Sequence, residues 1–318
     1  MKKWNAILLM IVFLSGLFIQ SNAQKNNRIS QISSENRIPF LLNKYNDGGK
    51  SSYVMIVAHR GDWRNAPENS LEAFQNCIDE GIDAVEIDIR ETKDGELVVM
   101  HDKTLNRTTN GKGNVADYTL EEIKLFNLKT GHGYPTKHKI PTFTEFLQLA
   151  KGRILIFVDK WQPTISKIIE EAKKQNCLEQ IIVWERVSNG SEFTEKYTPL
   201  LTQISYIPLI IFKGEKDSEN VDEILNLMPD DLKVVGIGFH SDTLSAINSQ
   251  PEKIKQHGKR ILIFSSDPKI NAGHNDDLAV HDLENSYKWL LEKGVNIFFT
   301  DRPFLLNDYL KKTGRRHP

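Results

Sequence analysis

Cysteine is almost missing from this chain, with two residues in 318. A disulfide framework is therefore excluded. An excess of either charge is missing too: 41 Lys+Arg stand against 42 Asp+Glu, a formal net charge of −1. A basic nucleic-acid binder needs surplus cations to neutralise phosphates, so no nucleic-acid partner is expected. A disordered acidic chain is equally disfavoured, because hydrophobic residues make up 39% and can build a core. There is no internal repeat and no linker marking a second domain. No G-x-G-x-x-G follows the first strand-like run, which weakens a doubly wound open sheet. No apolar run reaches the roughly 20 residues that span hydrocarbon.

The longest apolar run, about 14 residues, extends from Ala6 to Ile19. Lys2 and Lys3 precede it and Ser21-Asn22-Ala23 follows. That layout predicts a cleaved secretory signal over residues 1–23, with a transmembrane anchor as the less favoured alternative. The mature chain would begin near Gln24, carry 39 bases against 42 acids, and be secreted or periplasmic. Cys77 and Cys177 are expected as free or buried thiols rather than a bridge, although such a compartment permits one. Residues 24–52 are polar and read as a linker or loosely docked arm.

From residue 53 to 318 the pattern is uniform. Eight short apolar runs occur: Val54–Ala58, Ala84–Ile89, Ile154–Val158, Ile181–Trp184, Ile204–Ile211, Val234–Phe239, Ile261–Phe264 and Asn296–Thr300. Amphipathic stretches separate most of them, clearest at Leu71–Glu80, Thr164–Gln175, Ser218–Leu227 and Ser286–Lys293. Continuous apolar runs suggest strands buried on both faces. Eight such units in this length predict an α/β fold, a (β/α)8 TIM barrel, whose usual size is about 250 residues.

One feature interrupts the repeat. After the second barrel strand, Asp94-Gly95 separates Ala84–Arg90 from Glu96–His101, a hairpin signal. An extra antiparallel strand and a loop insertion are expected here. With Asp94 and Gly95 as a two-residue loop, His101 falls opposite Asp88, and Glu86 shares their face. A three-residue loop would shift that register.

Chemistry-bearing residues gather at the strand ends, where barrel enzymes place their active sites. His59-Arg60-Gly61 follows the first strand: a proton-transfer group, a planar cation suited to phosphate, and a residue permitting a close turn. Glu86 and Asp88 lie on one face of the second strand. Either a divalent metal or a salt bridge with Arg60 or Lys160 could relieve their repulsion. Oxygen ligands favour Mg²⁺ or Ca²⁺ over zinc. Asp159-Lys160 ends the third barrel strand and could add a third carboxylate and a charge-stabilising cation. His101-Asp102 ends the returning hairpin strand, and His59 with His101 could form an acid–base pair.

Taken together, the stretch Ala58–Lys124 resembles the glycerophosphodiester phosphodiesterase family. The resemblance rests on His59-Arg60-Gly61, Pro67-Glu68-Asn69, Glu86-Ile87-Asp88, His101-Asp102, Arg107-Thr108-Thr109, Thr119-Leu120-Glu121-Glu122, Ile140-Pro141-Thr142 and Thr300-Asp301-Arg302-Pro303. It is dense over Val54–Gln148 and sparse beyond. It implies a TIM barrel holding one divalent cation, Ca²⁺ or Mg²⁺, that hydrolyses a phosphodiester to an alcohol and a phosphomonoester. It also implies that His59 and His101 are the acid–base pair, Glu86 and Asp88 metal ligands, and Arg60 a phosphate ligand. Glu68 lines the site and orients Arg60, while Asn69 or Ser70 caps the next helix. A substrate hydroxyl beside the ester would attack first and give a cyclic phosphate.

Two departures bear on the site. The family's Glu-x-Lys at the third strand is here Val158-Asp159-Lys160, one residue shorter. The third ligand is assigned to Asp159, and Asp159 or Lys160 is expected out of register. Residues 263–267 replace the usual Trp-Thr-Val-Asn-like run, and an added loop at 271–277 is expected to shape substrate choice. The expected partner is a small phosphodiester, with no stable membrane insertion and no protein partner. The alternatives are a lipid-headgroup phosphodiesterase and a binding protein that has lost turnover.

Overall fold

The computed structural model describes residues 37–187, 202–213, 221–226, 234–240 and 244–316. The signal read over residues 1–23 lies outside them, as does the start of the polar arm.

Eight parallel strands close a barrel: β1 (Met55–Ala58), β2 (Ala84–Glu91), β6 (Leu155–Asp159), β7 (Ile181–Arg186), β8 (Ser205–Phe212), β9 (Val234–Phe239), β10 (Arg260–Phe264) and β11 (Ile297–Thr300). Closure is made at β1, where Val57 pairs with Phe299 of β11 and with Ala84 of β2. The expected eight strand runs all appear. The three remaining strands, β3 (Leu97–Val99), β4 (Asn127–Lys129) and β5 (Pro135–Lys139), belong to the insertion after β2. Among the described residues, helices α2 (Leu71–Asp79), α4 (Phe143–Ala150), α5 (Ile165–Lys174), α6 (Val221–Asn226), α7 (Leu244–Gln256), α8 (Asp276–Ala279), α9 (Trp289–Glu292) and α10 (Pro303–Lys312) surround the barrel, with α1 (Arg37–Asn46) before it and α3 (Leu120–Ile123) in the insertion.

Side chains alternate along each strand and sort into two layers. Met55, Val57, Ala84, Leu155, Phe157, Ile182, Leu262, Phe264, Ile297 and Phe299 fill the barrel interior. Their strand neighbours Ile56, Ala58, Val85, Ile87, Ile89, Ile156, Val158 and Phe298 pack outward with Phe74, Phe146 and Leu306 of the helices. Continuous apolar strands are thus needed because both faces are covered. Continued towards the strand ends, the inward rows reach His59, Glu86, Asp88, Asp159 and Asp301.

The arm read over residues 24–52 is firmly docked from Arg37 onward. In α1, Ile38, Leu41 and Tyr45 are buried and join the interior cluster, so this helix plugs the barrel. The three buried positions are spaced at i, i+3 and i+7, in a short apolar stretch from Ile38 that the polar residues on either side mask.

The β2–β3 hairpin is antiparallel, as expected, but its register differs by one. Ile89 pairs with Val99 and Glu91 with Leu97. Thr92 N donates to Glu96 O at 3.0 Å, leaving Lys93-Asp94-Gly95 as a three-residue loop with Gly95 at φ +85. The Thr92 hydroxyl bonds Asp94 Oδ1 at 2.6 Å and favours this longer turn. Met100, not His101, therefore faces Asp88, with Met100 N donating to Asp88 O at 2.8 Å.

Cys77 and Cys177 are free and buried, as expected. Among the described residues no helix is long and apolar enough to cross a membrane.

Candidate active site

Neighbouring residues on a strand point to opposite faces, so His59-Arg60 and Asp159-Lys160 should each split across the barrel wall. They do not. Arg60 has φ +55 and Lys160 φ +57, so each turns back over the mouth beside its partner. A left-handed backbone at a residue other than glycine costs about 1–2 kcal/mol. At this corner both Asp159 and Lys160 enter the site, although the spacing is one residue shorter than the family's Glu-x-Lys. Gly61 follows at φ +76, and a Cβ there would lie 3.0 Å from Ala73 Cβ and Phe74 Cδ1. Only glycine permits that turn against α2.

Glu86, Asp88 and Asp159 converge, with one oxygen of each lying within 4.8 Å of the others. Glu86 is 1% exposed and Asp88 0%. Burial, then repulsion from Asp88 and Asp159, raises the Glu86 carboxyl well above its ordinary range. Burial pushes Asp88 the same way, but Lys160, Arg60 and His101 outweigh it and hold Asp88 low. Lys160 Nζ donates to Asp88 Oδ1 at 2.6 Å and to Asp159 Oδ2 at 2.8 Å. Glu86 Oε2 accepts Arg60 N at 3.0 Å. Three carboxylate oxygens all within 4.8 Å of one another are close enough to share one hard cation, whose oxygen ligands lie about 2.3–2.6 Å away. The all-oxygen donors and the strained charge of Glu86 also fit such an ion.

Both histidines reach this pocket, each with Nδ1 on a carboxylate. His59 Nδ1 lies 2.7 Å from Asp301 Oδ1, which also accepts Trp63 Nε1 at 2.8 Å. Arg60 Nε donates to His59 Nε2 at 3.1 Å, so Nε2 carries the lone pair and Nδ1 the hydrogen. His101 lies just past β3, where Arg90 Nε donates to its carbonyl at 3.1 Å. Its Nδ1 sits 2.6 Å from Asp102 Oδ1. Its approach to Asp88, expected from strand pairing, comes instead from this bend. Burial, then the nearby Arg60 and Lys160 cations, lowers the His101 pKa despite the pull of Asp88 and Asp102.

Glu68 accepts Arg60 Nη1 at 3.0 Å, so it does orient Arg60. Ser70 caps α2, its hydroxyl accepting Ala73 N at 3.1 Å. Asn69, at φ +58, instead donates to Asp88 Oδ2 at 2.9 Å. Asp301 and Trp63 carried no expected role. Asp301 was legible in principle, because it continues the inward row of Ile297 and Phe299. The 271–277 loop supports this side. Asp276 is 3% exposed and accepts Thr300 Oγ1 at 2.8 Å, Tyr287 OH at 2.9 Å and Asp301 N at 2.6 Å. Phe299, Phe264 and Trp184 form an aromatic wall beside His59, whose ring lies 5.2 Å from Phe299.

A family model, the glycerophosphoryl diester phosphodiesterase family, matches residues 59–305. The chain belongs to the glycerophosphoryl diester phosphodiesterase family. It is accordingly an enzyme, a phosphoric diester hydrolase of the glycerophosphodiester class. A glycerophosphodiester phosphodiesterase of Caldanaerobacter subterraneus subsp. tengcongensis is 38% identical over 270 residues, covering 82% of this chain and 99% of the relative. Human glycerophosphodiester phosphodiesterase 1 is 32% identical over 264 residues, 81% of this chain and 68% of the relative. Among solved structures, a glycerophosphoryl diester phosphodiesterase from Parabacteroides distasonis shares the fold with TM-score 0.68 at 24% identity, covering 87% of this chain and 92% of that one. An Oleispira antarctica phosphodiesterase, in complex with its product sn-glycerol-3-phosphate, superposes with TM-score 0.59 at 22% identity, covering 83% of this chain and 100% of that one.

Proposed function

We propose that the mature chain is a secreted or periplasmic, divalent-metal-dependent enzyme. It splits glycerophosphodiesters into an alcohol and sn-glycerol 3-phosphate. The observation that carries this reading is the convergence of Glu86, Asp88 and Asp159 between two histidines whose Nδ1 atoms are held by carboxylates. The three carboxylates would hold one Ca²⁺ or Mg²⁺, which when bound would supply Lewis-acid charge to the phosphate and ease deprotonation of the attacking hydroxyl.

The chain's own residues supply the rest. Arg60 and Lys160 offset negative charge developing on the phosphate. With Nδ1 occupied, Nε2 is the nitrogen left for proton transfer on each histidine; on His59 it now accepts Arg60 Nε, a bond Arg60 gives up on turning to the phosphate. One takes the proton of the attacking hydroxyl, and the other gives a proton to the departing alkoxide. Where glycerol offers a hydroxyl beside the ester, that hydroxyl attacks first and water then opens the cyclic phosphate.

Phosphorus NMR of glycerophosphocholine incubated with the mature chain tests this. The expected product is sn-glycerol 3-phosphate, with choline released. An unchanged diester in the presence of Ca²⁺ and Mg²⁺ overturns the reading. Expression with residues 1–23 intact tests the export signal: the recovered protein should begin near Gln24.

A further inference from the structure

His101 lies on a loop outside the barrel wall, so something other than a strand must fix its ring. Asp102 holds Nδ1, but its side chain is 23% exposed and would rotate freely if unsupported. Arg107 supplies that support. Its Nε donates to Asp102 Oδ2 and its Nη2 to Asp102 Oδ1, both at 2.8 Å. The same guanidinium reaches Glu68, from Nη1 to Oε2 at 2.6 Å and from Nη2 to Oε1 at 2.8 Å. Glu68 in turn accepts Arg60, which donates to His59.

We propose that Arg107 is a positioning residue that sets the His101 imidazole through Asp102 and couples it through Glu68 to the Arg60–His59 pair. This rests on the acid–base reading above. A planar guanidinium grips both oxygens of each of two carboxylates in fixed geometry, which the single nitrogen of lysine does not reproduce. Each of the three guanidinium nitrogens already serves a carboxylate, so Arg107 is not placed as a substrate ligand. Its side chain is 49% exposed. Such exposed ion pairs contribute little to stability, so the consequence falls on the geometry of His101.

The test compares Arg107→Met, Arg107→Lys, Asp102→Asn and the Arg107→Met/Asp102→Asn double variant, with melting checked for each. On glycerophosphocholine, Arg107→Met should lower kcat on the order of 10–100-fold, the range for lost supporting partners. KM should stay within about twofold. Arg107→Lys should recover part of the rate. The double variant should lose less than the product of the two single losses, since both changes break the shared Asp102 path. In metal-free protein labelled with ¹⁵N-histidine, the His101 ring signals should shift in Arg107→Met towards a mixed tautomer.

An unchanged kcat with unchanged ring signals overturns the proposal. So does a raised KM with kcat intact, which would make Arg107 a substrate ligand, and so does additivity in the double variant. If the wild type hydrolyses no diester, the proposed function falls. The ring signals then still decide whether Arg107 sets His101.

Discussion

His59 and His101 face one pocket, but they are mounted differently. His59 continues the inward row of β1. Its carboxylate, Asp301, stands at the end of β11 and accepts the neutral Trp63 indole; behind it the buried Asp276 accepts the Asp301 backbone N–H, Thr300 Oγ1 and the Tyr287 hydroxyl. His101 sits past the end of a three-residue strand. Its carboxylate is fed by a half-exposed cation, Arg107. The same contact at Nδ1 is thus built once from barrel core and once from surface charge. Damage to the first mounting should cost stability as well as rate. Damage to the second should cost rate alone.

The largest effect removes the rings. His59→Ala and His101→Ala should each lower kcat by about 10²–10⁴-fold. Full activity in either would remove that histidine from proton transfer, and the comparison would lose one side.

The mountings themselves separate next. Asp276→Ala strands Thr300, Tyr287 and Asp301 N without their acceptor, at a cost of about 3 kcal/mol. Calorimetry should show a lower Tm. Asp102→Asn should stay within about 0.5 kcal/mol of wild type. Equal losses would erase the distinction between core and surface.

A smaller effect lies in pH. Folding holds His101 neutral and lowers its pKa. The unfolded chain therefore takes a proton first as pH falls below about 6.5, and stability declines from there down to the lowered folded value. An NMR titration should place His101 below free histidine. A raised value would contradict the burial that, aided by Arg60 and Lys160, outweighs Asp88 and Asp102.

The smallest effect is in salt. About 1 M salt shrinks the screening length to about 3 Å. It should weaken the exposed Arg107 contacts and slow turnover modestly, while leaving the His59 mounting unchanged. The Asp276→Ala background should show the same salt slope as wild type.

This contrast also separates what was legible in the sequence from what was not. Local features read well. Eight apolar runs became eight barrel strands, because a strand covered on both faces must be apolar throughout. Glu86 and Asp88 share a face by strand periodicity alone. Features set by backbone exceptions did not read. The Thr92–Asp94 contact lengthened the hairpin loop and moved the register by one. Left-handed corners at Arg60 and Lys160 placed both residues of each pair on the inside, against simple alternation. Partners far apart in the chain were the hardest. Asp276 and Asp301 support His59 across more than 200 residues, and no local pattern announces such a contact. Helix α1 was hidden because its apolar stretch, Ile38–Leu42 and Tyr45, is short and set among polar residues.

The central claim is that Glu86, Asp88 and Asp159 hold a divalent cation on which turnover depends. The direct measurement is the rate of glycerophosphocholine hydrolysis by chelator-treated protein as Mg²⁺ or Ca²⁺ is restored, compared with Glu86→Gln. The account predicts no turnover after chelation, saturable recovery with metal in the wild type, and little or none in Glu86→Gln. Turnover indifferent to chelation, or full recovery in Glu86→Gln, would contradict it.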